Sequence, residues 1–303
     1  KIIFEDFLNY IILIIFAQIL LSIVSILFFY KIIAYFENKN FSLLMTTFFG
    51  LFPIYVYSSV QISSISLQIF LLIFFLYFLQ KLMQNFNFYY LIFFSIVSGL
   101  MILIRAEFLF FYPLTIFYLF IFFKPNLKAI VISLIITILT ISPYLARNLQ
   151  TFDKIIITKS LGYNLLKGNN PTFKVEGNAK FVADNYDKDI KIRTVNNYEI
   201  KLDDFYKSKA IEFIKNNPIE YFLFYLKKNL AFIFFDAKSS YPHYFNFFHI
   251  FPKIILSVFT LIGAYLLFKK KGFKQFLILY YFSNILLFSL FFILPRYSVI
   301  LLP

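Results

Sequence analysis

The polar residues with the clearest chemical potential follow a long apolar run. Residues 161–171 (LGYNLLKGNNP) combine a phenol, three side-chain amides and an ammonium group, contributed by Tyr163, Asn164, Lys167, Asn169 and Asn170. Glycine and asparagine tolerate positive φ and proline fixes the following turn, so this composition predicts a tight loop. Such a loop suits a sugar or a phosphate better than a lipid tail. An ordinary turn-rich surface loop explains the same residue types equally well.

Arginines at the ends of apolar runs form a second group of candidates: Arg105, Arg147 and Arg296. A guanidinium group binds phosphate through a fork of donors, and a charge at membrane depth is expensive and usually functional. The three arginines are therefore candidate ligands of a lipid-linked phosphate in one shared pocket. Glu107 is a weak candidate for a general base and an alternative ion-pair partner for Arg105. Simple anchoring at the membrane interface is the competing interpretation for these charges.

The composition indicates a polytopic membrane protein. The chain of 303 residues is 61% hydrophobic and contains 47 phenylalanines, whereas a soluble domain is about 45–50% apolar. A membrane span needs about 20 apolar residues. Eight segments are candidates for spans: 9–30, 41–58, 64–80, 88–104, 107–123, 127–145, 250–268 and 275–294.

The lysines between these segments predict the topology. They fall in alternate connections: Lys31, Lys39, Lys81, Lys124, Lys128, Lys269, Lys270, Lys271 and Lys274. Because cytoplasmic loops carry the excess of lysine and arginine, these connections are expected in the cytoplasm and residues 146–249 outside. The expected architecture is an α-helical membrane protein with about eight spans and a small mixed extracytoplasmic domain. Residues 1–145 would hold six spans, 146–249 the outer domain, and 250–303 two spans.

The outer region is expected to contain both strand and helix. Lys154–Thr158 is rich in β-branched residues and predicts a short strand. Asp203–Asn216 predicts an amphipathic helix capped by Asp203. Residues 219–235 are apolar, but Lys227 and Lys228 lie in their middle, so we expect a helix in the outer interface that begins after Pro218.

Several function classes are disfavoured by what the sequence lacks. It has no cysteine and two histidines, His243 and His249, which disfavours thiol chemistry and a histidine-based metal site. It also lacks a nucleotide-binding loop. The net charge of +14 is spread over loop ends, as expected beside anionic membrane lipids, and gives no indication of a nucleic-acid partner. A divalent metal ion is compatible with the reaction considered below, although no ligand set is evident.

The segment around residues 143–171 resembles bacterial C-type membrane glycosyltransferases, the group that includes protein mannosyltransferases and the aminoarabinose transferase of lipid A. The matching residues are Pro143-Tyr144, Arg147-Asn148, Gly162-Tyr163-Asn164-Leu165 and Gly168-Asn169-Asn170-Pro171. Leu161 departs from the pattern, because a glycine is usual there. Residues 99–105 and Pro295-Arg296-Tyr297 resemble two further elements of the family. Ser64 or Ser66 stands where the family has an acid.

The resemblance implies an enzyme of the bacterial inner membrane. It would move a sugar, with inversion, from a polyprenyl-phosphate donor to a lipid, glycan or protein acceptor on the outer face. A carboxylate would act as general base and arginines would stabilise the departing phosphate. The chain looks like a fragment lacking the first span and the first outer loop, so the base is expected upstream of Lys1. A transporter or flippase of lipid-linked glycans, or an O-antigen-type polymerase or ligase, is the alternative.

Overall fold

The computed structural model describes residues 2–186, 197–240 and 244–294, and of residues 2–8, 54, 248 and 249 it describes the backbone alone. All regular structure in these ranges is helical. The chain divides into two compact units, and the boundary in the sequence lies between Ala146 and Arg147. The helices of the first unit are α1 (Ile2–Ile33), α2 (Lys39–Gly50), α3 (Pro53–Val60), α4 (Ile65–Gln84), α5 (Phe88–Ile104), α6 (Phe108–Phe123) and α7 (Leu127–Phe152), which runs past the boundary. Those of the second are α8 (Leu161–Gly168), α9 (Ala179–Tyr186), α10 (Tyr198–Asn216), α11 (Pro218–Ile233), α12 (Phe247–Leu267) and α13 (Phe273–Ser289).

Four helical segments are long and apolar enough to cross a membrane, judged by length and composition: Asn9–Ile33, Ile65–Gln84, Leu127–Phe152 and Ile250–Leu267. The helices α5 and α6 are apolar but shorter. The chain is therefore a helical protein of the membrane-embedded type. The count of eight spans and the outer location of residues 146–249 stay predictions.

The segment 41–58, predicted as one span, is divided into α2 and α3. The amide oxygen of Asn38 accepts a hydrogen bond from Phe41 N at 2.9 Å and caps the start of α2. Pro53 then disfavours the α conformation at Phe52, whose ψ of 122° is extended. Pro53 also begins α3, where its missing N–H leaves no helical hydrogen bond unmade.

Polar side chains fix the packing of α1 against α4 inside the first unit. Gln18 in α1 donates through Nε2 to Gln61 O at 3.1 Å and to Ser63 O at 2.7 Å. Gln80 in α4 donates through Nε2 to Ile32 O at 3.1 Å. Both glutamines are buried, so these hydrogen bonds satisfy amide N–H donors that would otherwise be costly among apolar neighbours.

Small residues bring α5 and α7 into close contact. Ser95 Oγ lies 2.7 Å from Ser133 Oγ, and Thr137 Oγ1 donates to Ser95 O at 3.1 Å. A Cβ atom at Gly99 would lie 2.6 Å from Thr140 Cβ. Packing through small residues and hydroxyl groups is typical of helices that associate in membranes, where burial of apolar surface gives no preference for a helix over a lipid.

Among the residues that the structure describes, two hydrophobic clusters form the interior of the second unit. One lies where α8 meets α10 and contains Leu166, Val182, Tyr206 and Ala210. The other is built mainly from α11 and α13 and contains Val175, Phe224, Ala231, Phe232, Ile285, Phe288 and Ile293.

Three sequence predictions for this region need correction. The strand over Lys154–Thr158 is absent, since that segment is irregular and no strand occurs in the ranges that the structure describes. Residues 161–168 form a helix rather than a loop, and α10 begins at Tyr198 instead of Asp203. The predicted helix after Pro218 is present as α11. An isolated β-branched run has no neighbour to complete a sheet, so its strand preference has no effect here.

Candidate functional site

Arg105 and Glu107 form an ion pair in the short connection between α5 and α6. Arg105 ends α5, and its backbone N–H donates to Met101 O at 2.7 Å. Its Nη2 lies 2.9 Å from Glu107 Oε1, with 17% of the arginine and 26% of the glutamate side chain exposed. The guanidinium group is therefore mostly buried and held beside a carboxylate at the end of an apolar helix.

The helix α8 is held at its N-terminus by a residue from α10. The carboxylate of Asp203 accepts hydrogen bonds from Gly162 N and Tyr163 N, both at 2.9 Å. These are two of the N–H groups that the first turn of a helix leaves without a partner. Asp203 is therefore a helix cap, as predicted, but it caps α8 and not α10. A Cβ atom at Gly162 would lie 1.9 Å from Asp203 O, so only glycine permits this approach.

The Gly168-Asn169-Asn170 string lies at the other end of α8 and is fully enclosed. A Cβ atom at Gly168 would lie 2.2 Å from Phe291 O. Asn169 donates through Nδ2 to Leu165 O at 2.9 Å and to Leu290 O at 2.8 Å. Its Oδ1 accepts from Lys228 Nζ at 2.7 Å, and Lys228 and Asn169 are both 0% exposed.

The side chain of Asn170 also forms hydrogen bonds within this segment. Its Nδ2 donates to Leu166 O at 3.1 Å and to Lys167 O at 2.8 Å, and its Oδ1 accepts from Thr172 N at 3.1 Å. The side chain is 2% exposed. In the described conformation both asparagines therefore bind the protein itself, and their predicted contact with substrate stays a prediction.

The other predicted residues of this segment lie closer to the surface. Tyr163 is half-buried, and its ring centroid lies 5.7 Å from that of Tyr206. Lys167 places Nζ 4.2 Å from the centre of the Phe292 ring, a cation–π contact. Asn164 is half-buried and donates through its backbone N–H to Ser160 O at 3.0 Å. Each of these three polar side chains of α8 is partly exposed.

Arg147 lies inside the last turns of α7 and is exposed. Its Nη1 donates to Asn148 Oδ1 at 3.0 Å, and Asn148 donates through Nδ2 to Ile156 O at 2.8 Å. The buried Asn148 thus ties the irregular segment after α7 back to the helix. Arg296 and His243 lie outside the described residues, as does the side chain of His249. Arg105 belongs to the first unit and Arg147 to the second, so the shared phosphate pocket stays a prediction.

A further polar cluster, which the sequence analysis did not identify, lies between α11 and α12. Glu176, Asp236, Tyr244 and Lys253 line a cavity whose free space is about 10 Å³, which is room for about one water molecule. Asp236 N donates to the Tyr244 hydroxyl at 2.7 Å, and Lys253 Nζ donates to Ala231 O at 3.4 Å. A sugar does not fit in this space. In the sequence, the residue that could have indicated this cluster is Asp236, an acid that directly follows the apolar residues 231–235.

Glu176 is the acceptor in this cluster. Ser239 Oγ donates to its Oε2 at 2.6 Å, and Ser240 donates through N to Oε1 at 3.1 Å and also through its hydroxyl. Burial raises the pKa of Glu176, but the hydrogen bonds from the two serines outweigh burial and leave the pKa below its ordinary value. An ionised carboxylate with several donors is a weak base, so Glu176 is not a good replacement for the expected general base.

Comparison with protein-family models, curated proteins and solved structures finds no match to this chain. The likeness to C-type glycosyltransferases therefore rests on the motif residues alone. In the ranges that the structure describes, no group of three or more histidine, aspartate or glutamate side chains is placed to hold a metal ion.

Proposed function

We propose that this protein is an integral-membrane glycosyltransferase that moves a sugar from a polyprenyl-phosphate donor to an acceptor on the outer face of a bacterial inner membrane. The observation that carries the proposal is the Arg105–Glu107 pair at the end of the apolar helix α5. A guanidinium group at this position suits the phosphate of a membrane-resident donor. The carboxylate of Glu107 orients this guanidinium group.

The arrangement of charges within the first unit supports the orientation that the proposal needs. One cavity is lined by the C-terminal end of α4, the N-terminal end of α5 and the connection from α6 to α7. Lys81, Lys124 and Lys128 therefore gather at one end of α5, while Arg105 lies at its other end. The 17 residues of α5 span about 25 Å. A cytoplasmic location for the lysines leaves Arg105 at the outer side.

The folded motif of the second unit supports the proposal in a different way. The residues that resemble the family are used to fix α8 against α10 and against residues 290–292, which precede the Pro295-Arg296-Tyr297 element. In this proposal α8 is a rigid platform, and Tyr163, Asn164 and Lys167 are its ligand-facing residues. The reaction also needs a general base, for which Glu107 is a weak candidate.

The deciding experiment is a transfer assay in proteoliposomes with radiolabelled polyprenyl-phosphate sugars. The protein is expected to release polyprenyl phosphate and to label an acceptor. Movement of intact lipid-linked glycan without bond cleavage would instead identify a flippase. Lengthening of a glycan chain on its lipid carrier would identify a polymerase.

Topology is tested separately with reporter fusions. Fusions after Lys81, Lys128 and Lys271 are expected to report the cytoplasm, and fusions within residues 178–197 the outside. A cytoplasmic location for residues 178–197 would contradict both the predicted topology and the proposed function, because these residues would then lie on the side of the membrane opposite to the donor sugar.

A further inference from the structure

A partly open cavity of about 390 Å³ lies inside the first unit, where the C-terminal ends of α4 and α6 meet the N-terminal ends of α5 and α7. Its wall is mainly apolar and includes Leu91, Ile116, Leu119 and Ala129. Pockets that bind small molecules typically measure about 300–1,000 Å³ and are mainly apolar. The space is therefore sufficient for part of a hydrocarbon chain.

A few polar groups interrupt the apolar wall. Gln84, Lys124 and Asn126 contribute to the lining. Gln84 Nε2 is buried and makes no hydrogen bond within the part of the chain that the structure describes. Its Oε1 accepts from Lys81 Nζ at 3.4 Å. A buried amide donor without a partner is costly among apolar side chains, and an oxygen atom of a ligand would satisfy it.

The backbone of Lys124 is unusual. Lys124 follows the last turn of α6 and adopts the left-handed conformation, with φ 45° and ψ 52°. Glycine is the residue that most often ends a helix in this way, and a side chain in this conformation is disfavoured by about 1 kcal/mol. Lysine is therefore not the residue that the turn itself prefers, and Lys124 contributes to the lining of the cavity.

The charges around the cavity indicate the sign of its occupant. From residue 81 to residue 133 the sequence contains a single acid, Glu107, which lies at the opposite end of α5. Lys81, Lys124 and Lys128 stand at the cavity end. Basic pockets between helices on the cytoplasmic side of a membrane bind anionic lipid head groups, because the anionic leaflet supplies them at high local concentration.

We propose that this cavity binds an anionic phospholipid of the bilayer. One acyl chain occupies the apolar space, and the phosphate lies against Lys124 and Gln84, with Lys81 supporting the charge. The site is distinct from the donor site at Arg105, since α5 separates the two by about 25 Å. The inference requires a helical membrane protein and does not depend on the glycosyltransferase proposal.

The first test measures lipid binding to the purified full chain, stripped of lipid in detergent, by native mass spectrometry and by thermal unfolding. Phosphatidylglycerol is expected to bind and to raise the melting temperature more than phosphatidylcholine. Ala129→Phe fills the cavity and is expected to weaken this binding about tenfold, or about 1.4 kcal/mol. Ala146→Phe, on the same helix but outside the cavity lining, is the matched control and should retain binding. Equal binding by Ala129→Phe and the unchanged chain would overturn the proposal.

The second test separates a charge effect from a folding defect. Lys124→Gly removes the steric cost of a side chain in the left-handed conformation, so the variant is expected to be at least as stable as the parent. Its affinity for phosphatidylglycerol is expected to fall about fivefold, because a positive charge is lost. Lys128→Gln removes a neighbouring charge that does not line the cavity, and it should have the smaller effect. Unchanged affinity in Lys124→Gly would overturn the head-group assignment. Preferential binding of polyprenyl phosphate at this cavity would overturn the choice of a bilayer phospholipid.

Discussion

Lys228 Nζ lies 2.7 Å from Asn169 Oδ1, and neither side chain is exposed to solvent. Lys228 Nζ also donates to Phe291 O at 2.6 Å. If Lys228 is neutral, its amine has two N–H groups, which match the two acceptors. If Lys228 is protonated, the ammonium group has a third N–H, and the Phe224 ring, whose centroid lies 4.4 Å from Nζ, is near it. This contact joins α8, α11 and the segment after α13 through groups buried in the protein interior.

Stability should therefore depend on pH through Lys228. The helix α11 is not among the candidate spans, and burial lowers the pKa of Lys228 from 10.5 to about 7. Between these values the unfolded chain binds more protons than the folded one, so the free energy of unfolding rises as pH increases, by up to about 1.4 kcal/mol per pH unit.

The measurement is thermal unfolding in detergent from pH 6.5 to pH 10. Lys228→Met should remove the rise, because methionine fills a similar space without a titrating group. Lys227→Met, at an exposed neighbouring position, is the control and should keep it. A pH profile that is the same for all three proteins would contradict the buried amine.

The two glycines of α8 should be intolerant of alanine. A Cβ atom would lie 1.9 Å from Asp203 O at Gly162 and 2.2 Å from Phe291 O at Gly168, so each substitution forces backbone apart and is expected to cost more than about 2 kcal/mol. At Gly263, in α12, a Cβ atom would have no neighbour within 4 Å. Gly263→Ala should be stabilising by about 0.5–1 kcal/mol, since alanine is the better helix former. Chemical denaturation of the three variants, compared at one pH, measures these differences.

Features set by local composition could be predicted from the sequence. The long apolar runs predict the helices α1, α4 and α7, because length and hydrophobicity are properties of the segment itself. The start of α11 at Pro218 follows from the same kind of local rule. The division of 41–58 was also predictable in principle, since Pro53 restricts Phe52 directly.

Features that depend on distant partners could not be predicted in this way. The glycines and asparagines of residues 161–170 have the composition of a loop, yet residues 161–168 form a helix because Asp203 caps it and Phe291 packs against it. Nothing in the local sequence identifies either partner. Lys228 had a detectable signal, because it is four residues from both Phe224 and Phe232 and so shares their buried face.

The cap on α8 can be tested without changing its packing. Asp203→Ala removes the acceptor for Gly162 N and Tyr163 N and is expected to destabilise the protein by about 1–2 kcal/mol. Asp204→Ala removes only an exposed ion pair with Lys154 and should change stability by less than about 1 kcal/mol. Amide hydrogen exchange gives the local measurement, since the amides of residues 162 and 163 should lose protection only when Asp203 is changed. Equal protection in both variants would contradict the cap.

Arg105 should be essential for transfer of the sugar. Arg105→Ala is expected to reduce transfer by about 100- to 1,000-fold, the usual effect of removing one group that stabilises a developing charge. Arg105→Lys should restore little, because a point charge does not reproduce the guanidinium fork. Lys128→Ala, at the other end of the unit, controls for the general loss of a cation. Normal transfer by a correctly inserted Arg105→Ala variant would reduce Arg105 to a membrane anchor.

A double-substitution experiment distinguishes a structural from a substrate-binding role for Asn169. Asn169→Leu alone leaves Lys228 with one acceptor and Leu290 O without its donor, so it should destabilise the protein by about 3 kcal/mol or more. Adding Lys228→Met removes the buried amine that has lost an acceptor, so it should recover the part of the stability that was lost through Lys228. Leu290 O and Phe291 O remain without these donors in the double variant.

Transfer activity of the same variants decides the role. If Asn169 only holds α8 in place, the double variant recovers activity to the same extent as its melting temperature, because the platform that carries Tyr163 and Lys167 is restored to that extent. If Asn169 binds substrate, the double variant is stable and inactive. The buried side chain and its three hydrogen bonds lead us to expect recovery of both. A stable but inactive double variant would require α8 to open during the reaction and expose Asn169 to the donor.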